Sequence, residues 1–130
     1  MMRFAALALA GLFTLAISAP TIASTASSPV GTWQISTGES RYKVSVCGEG
    51  AQLCAKLVWL RADAKTPENL QLLNQYVVRG AQPIAPNKWS GSVQVDGETL
   101  QGSLTQVNAN LLSLKGCKGI FCKSVQLTRI

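Results

Sequence analysis

Trp89-Ser90-Gly91-Ser92-Val93-Gln94-Val95-Asp96-Gly97-Glu98-Thr99-Leu100-Gln101-Gly102-Ser103-Leu104-Thr105 alternates apolar or small positions with polar ones on both sides of an Asp-Gly step. Period-two alternation marks a half-buried strand, and Asp-Gly between two such runs is the strongest short-range hairpin signal. The rhythm continues downstream. Leu112 and Leu114 lead to Cys117, Lys118-Gly119 turns the chain, and Val125, Leu127 and Arg129 alternate to its end. Upstream, Trp33 and Ile35, then Tyr42, Val44 and Val46, then Leu53, Ala55, Leu57 and Trp59 alternate in the same way. The turns Thr37-Gly38-Glu39-Ser40 and Gly48-Glu49-Gly50 separate them. These make seven strands. An eighth is expected around Ala81–Ala85, where Pro83 demotes it to an edge or irregular strand. A meander of this length leaves exposed edges unless it closes on itself. The expected fold is therefore all-β, an up-and-down antiparallel barrel of seven to eight strands.

Residues Arg61 to Asn87 interrupt the alternation. Thr66-Pro67-Glu68 offers a capping hydroxyl, a proline at the first helical position and an early acid. Leu70, Leu73 and Val77 follow at helical spacing, and Gly80 can end the element. One short helix is expected in this connection, either plugging one end of the barrel or forming a lid over a ligand portal.

Strand parity assigns faces. Trp33, Tyr42, Trp59, Trp89, Val93, Leu104, Leu114 and Leu127 are expected inside, and all four cysteines outside. Lys123 falls on the inward parity, so a bulge or a rim position is expected there. The inward set also includes Ala55, Gly91 and Gly102, which either open a cavity or let the strands bend.

The chain of 130 residues has one domain's worth of sequence. Met1-Met2-Arg3, the uncharged run Phe4 to Ile17, Pro20 and the small residues Ala23, Ser24 and Ala26 read as an export signal. The expected division is 1–24 signal peptide, cut between 23 and 26, and 25–130 a single barrel domain. The run is too short for a comfortable membrane span, so no stable membrane insertion is expected. The four cysteines, Cys47, Cys54, Cys117 and Cys122, allow three pairings. In an oxidising compartment the sequence-local pairs Cys47–Cys54 and Cys117–Cys122 are the natural choice. A periplasmic or secreted location follows. Histidine is absent, so zinc ligation is disfavoured and neither metal nor cofactor is expected. The missing Cys-x-x-Cys argues against a redox role.

Lys and Arg outnumber Asp and Glu, 12 to 6. The basic residues are scattered, without a dense run interleaved with aromatics, so nucleic acid is not an expected partner. Arg41, Lys43 and Lys56 can form a basic stripe on neighbouring strands that suits an anionic envelope surface.

Gly31-Thr32-Trp33 on the first strand, with Arg129 at the end of the last, resembles the calycin pattern of lipocalins. In those barrels a basic residue packs across the first-strand tryptophan and closes one end. Gly31-Thr32-Trp33, Val46-Cys47-Gly48, Leu53-Cys54-Ala55-Lys56-Leu57-Val58-Trp59-Leu60, Trp89-Ser90-Gly91, Asp96-Gly97 and Leu114-Lys115-Gly116-Cys117 occur in that order. Together they resemble the exported bacterial proteins grouped as the domain of unknown function 2147 family. The resemblance implies a lipocalin-like barrel and no established activity. The chain departs from the family before Asp96, where Val93-Gln94-Val95 replaces a Tyr-Asp/Asn-Pro element. It departs again at Leu100 and Leu127, which stand where the family usually has Tyr and Trp.

Catalysis needs titratable or nucleophilic groups gathered in a pocket. Without histidine a Ser-His or Cys-His pair cannot be built. The acids Glu39, Glu49, Asp63, Glu68, Asp96 and Glu98 lie in or beside turns or in the long connection, and none is expected on the inward face. No catalytic residue is therefore assigned. The expected function is non-enzymatic binding of a small apolar ligand, with Tyr42, Trp59, Trp89, Gly91 and Gly102 around it. The alternative is a filled barrel that acts through its surface. Export is checked by the mass of the protein from the periplasmic fraction, which should place its N-terminus between Ser24 and Ser27. Full-length chain retained in the inner membrane would contradict it.

Overall fold

The computed structural model describes Gly11 and residues 14–16, 27–95 and 97–130. The predicted signal segment lies outside the described residues, apart from Gly11 and 14–16, and Asp96 lies outside them too. The alternating runs become β1 (Gly31–Ile35), β2 (Ser40–Val46), β3 (Leu53–Leu60), β4 (Tyr76–Ala85), β5 (Lys88–Val95), β6 (Glu98–Asn108), β7 (Leu111–Lys118) and β8 (Phe121–Arg129). Each pairs antiparallel with the next, and β8 returns to pair with β1, closing the barrel. The turns after β2, β4 and β6 share one end with the chain terminus. The turns after β1, β5 and β7 share the other end with the β3–β4 connection.

The first of these ends is sealed by the seam itself. Trp33 on β1 lies directly across from Arg129 on β8 and is completely buried. The guanidinium carbon of Arg129 stands 4.3 Å from the Trp33 ring centroid. Its nitrogens donate to backbone carbonyls on three sides: Nε to Ala109 (2.9 Å), Nη1 to Val30 (2.8 Å) and Nη2 to Ser28 (2.6 Å). The Trp33 indole N–H donates to the Pro29 carbonyl at 2.9 Å. Gly31 makes room for this stack. Its φ is +149°, and a Cβ there would come within 2.5 Å of Arg129 Nη1.

A row of glycines bends the opposite wall. Gly91, Gly102 and Gly116 sit side by side on β5, β6 and β7, with Lys123 of β8 completing the row. Neighbouring side chains fill the space that their missing Cβ atoms leave. A Cβ on Gly91 would meet the Ala81 backbone at 3.0 Å, one on Gly102 would overlap the Val93 side chain, and one on Gly116 would touch Leu100 at 3.1 Å. The row thus lets the strands coil tightly. Gly91 and Gly102 do not open a cavity.

The long connection is shorter than the sequence suggests. Thr66 does cap a helix, accepting from the Asn69 N–H at 3.3 Å, but α1 spans only Pro67–Leu72. Asn74 then takes a positive φ of 63°, and Val77 enters β4 instead of extending the helix. Tyr76-Val77-Val78 favours a pleated conformation, and closure requires a strand between β3 and β5. Gly80, with φ of 64°, marks the irregular pairing of β4 with β3, not a helix end. Pro83 is tolerated because β3 reaches β4 only as far as Leu53↔Ala81, so beyond it β4 has β5 alone as its neighbour.

The two disulfides join Cys47 to Cys54 and Cys117 to Cys122, each across a β-turn connection. Contrary to simple parity, Cys54 is buried. The β4 irregularity carries Gly80 over it, and the Gly80 N–H approaches its sulfur at 3.3 Å.

Two substitutions test this architecture by urea denaturation. Arg129→Ala should cost about 1–3 kcal/mol through lost stacking and unpaired carbonyls. Lysine there should recover part of the loss, since it keeps the charge without the planar stack. Gly102→Leu should cost about 1–3 kcal/mol by overpacking against Val93. An unchanged midpoint in either case would contradict the packing described.

Candidate functional site

Within the wall lies a cavity of about 350 Å³. Inward side chains of successive strands form its sides, among them Val44, Ala55, Leu57, Val78, Val93 and Leu112, and these are all buried. The polar lining comes from the opposite end to the Trp33–Arg129 seal. Thr37 and Glu39 come from the β1–β2 turn and Ser40 from the start of β2. Asn69 comes from α1, Gln94 from the end of β5 and Lys123 from the start of β8. The site is therefore a blind apolar chamber with a polar mouth.

Ala64, Asn69 and Leu72 border the cavity from the β3–β4 connection, so this connection roofs part of the mouth. The roof is braced within itself and tied to the β1–β2 turn. Asn69 donates its side-chain amide to the Ala64 carbonyl at 2.8 Å. Arg61 donates to the Thr37 carbonyl at 3.1 Å, to both Asp63 oxygens at 2.5 and 2.9 Å, and stands 3.9 Å from Glu39. Hydrogen bonding from Arg61 holds the Asp63 carboxyl below its ordinary range, and the same bond raises the guanidinium above its own. On the wall just inside the mouth, the Ser40 hydroxyl donates to the Tyr42 hydroxyl at 3.0 Å.

Of the five residues expected around a ligand, only Tyr42 borders the cavity. Trp59 is on the outer face. The β2–β3 register runs Arg41↔Trp59 and then Tyr42↔Leu57, so Val58 is an extra residue and everything beyond it changes face. Outside, the Trp59 ring lies beneath Arg41, with 4.3 Å between guanidinium carbon and ring centroid. Trp89 packs against the core cluster at the sealed end, where its indole N–H donates to the Ala51 carbonyl at 3.2 Å. Gly91 and Gly102 are covered by Ala81 and Val93, as described above.

The acids also need one correction. Glu39, expected away from the interior, lines the mouth because the β1–β2 turn folds over the barrel's rim. Lys123 lines the mouth as well. It occupies the rim without a bulge, since the β7–β8 register is unbroken through Gly116↔Lys123. Asn69 carried no signal in the alternation, and Gln94 fell on its outward parity, yet both line the mouth, because residues at strand and helix ends face wherever the rim places them. Among the described residues no three metal-ligating side chains come together.

The outer faces of β2, β3 and β4 carry Arg41, Lys43, Lys56 and Arg79 and no acid. Lys43 and Lys56 are cross-strand neighbours. Lys56 rests over the Tyr76 ring at 5.2 Å, and Arg41 donates to the Gln34 side chain at 3.0 Å. The basic stripe is thus supported by aromatic rings.

No curated protein and no solved structure matches the chain. A family described as an uncharacterized protein conserved in bacteria, DUF2147, matches residues 31–129, from the first residue of β1 to the last of β8. This closed eight-stranded barrel with a blind apolar chamber belongs to the bacterial DUF2147 family.

Proposed function

We propose that the protein is a non-enzymatic binding module of the bacterial envelope that holds one small, mostly apolar ligand within its barrel. The observation that carries this reading is the chamber of about 350 Å³, apolar along its walls and sealed at one end by Trp33 and Arg129. Ligand sites are typically concave, mostly apolar and about 300–1,000 Å³, with a few convergent polar groups. An apolar chamber of this kind is poorly hydrated and accepts apolar guests. The absence of histidine favours binding over turnover, as does the lining of the mouth, where Glu39 is the one carboxylate among the described residues and no acid–base pair is assembled. Two disulfides in a bacterial family support an oxidising, exported location.

None of the three tryptophans lines the chamber, so the informative titration follows displacement of an apolar fluorophore. Protein purified from the periplasm should carry an apolar guest in native mass spectrometry. Ala55→Leu, which projects into the chamber, should weaken fluorophore binding at least several-fold while the unfolding free energy from urea denaturation stays within about 1–3 kcal/mol of the parent. Failure of both proteins to hold any apolar guest would leave the ring-supported basic face of β2–β4 as the functional surface, toward anionic envelope components.

A further inference from the structure

The chamber's lining is sorted by polarity along its depth, and this sorting selects among apolar ligands. Toward the sealed end the lining is Val44, Leu53, Ala55, Leu104 and Leu112, and at the mouth it is Thr37, Glu39, Ser40, Asn69, Gln94 and Lys123. A ligand polar at its inner end would leave that group unpaired against apolar walls, which is costly. An apolar ligand therefore enters tail-first, with any polar group left at the mouth.

The charges at the mouth are not equivalent. Glu39 faces the Arg61 guanidinium at 3.9 Å, and Arg61 also holds Asp63. On the β7–β8 hairpin, Lys118 is paired with Glu98 at 3.3 Å. Lys123 has no carboxylate within 4.0 Å among the described residues. Its position across from Gly116, a residue without a side chain that also lines the chamber, leaves the lysine stem free to lie along the rim. The ammonium then reaches solvent while the methylenes cover apolar surface.

Resting on the binding-module reading above, we infer that the ligand is a single-chain amphiphile with an anionic headgroup. Its tail fills the chamber and its head lies at the mouth against the Lys123 ammonium. Lys123 is the specificity-determining residue for the head, and the apolar wall supplies the rest of the affinity.

Dodecanoate and dodecanol share a tail and differ in the head, so displacement titrations with both separate the two parts of this reading. Dodecanoate should bind the parent protein about three- to fivefold more tightly than dodecanol at low salt, the size expected for a solvent-exposed charge pair. The preference should shrink as ionic strength rises. K123Q should abolish the preference by weakening dodecanoate to the level of dodecanol, and K123E should reverse it. K118Q, which removes a lysine already paired with Glu98, should keep the parent preference. Equal binding of the two probes by the parent, or a preference that survives K123Q, would overturn the headgroup assignment while leaving the chamber reading intact. Binding of neither probe would overturn both.

Discussion

Everything in this molecule depends on joining the first strand to the last. Seven of the eight strand pairings link neighbours in sequence and form locally, but they alone give a sheet with two open edges. The eighth is the β1–β8 ladder, and it is short, with three paired positions from Trp33↔Arg129 to Ile35↔Leu127. A ladder this brief needs side-chain reinforcement. Trp33 buries its whole ring beneath the seam, worth roughly 4–6 kcal/mol for about 150–250 Å² of surface. Arg129 spans that ring and ties down the segment before β1 and the β6–β7 turn. The chamber exists only because this end is shut.

The mouth is held differently, by polar contacts between exposed groups instead of by burial. Arg61 connects the β3–β4 connection to the β1–β2 turn through Thr37, Asp63 and Glu39. Ion pairs this exposed contribute little to stability, and α1 has no buried residue of its own. The molecule therefore has a stiff, dry base and a weakly fastened rim. Openings of low free energy concentrate in regions with few buried contacts, which places them at the mouth of the chamber.

Alternation made seven strands legible because one face of each is buried, so every second residue is apolar. The eighth was legible only from Ala81 to Ala85; its first half was hidden by Leu70, Leu73 and Val77, whose helical spacing extends a sound N-terminal cap beyond the point where Asn74 turns the chain away. Face assignments failed where the period itself was broken. One extra residue, Val58, moved Trp59 from the interior to the surface, and nothing in Leu57-Val58-Trp59 announces the insertion. Gly91 and Gly102 were correctly placed inward, but whether a neighbour fills the space beside a glycine depends on tertiary packing. Lys123 was readable as a misfit, a charge on an inward parity, and that misfit marked the rim.

The seam also sets a temporal order on the chain. Trp33 lies on the first strand of the barrel and Arg129 on the last. A polypeptide emerging N-terminus first can form successive hairpins but cannot shut the sealed end until β8 is free. Until then Trp33 lacks its cover and the apolar wall remains open to solvent. Closure is in this sense the last step of barrel assembly, and a chain without Arg129 would lack the stack that covers Trp33.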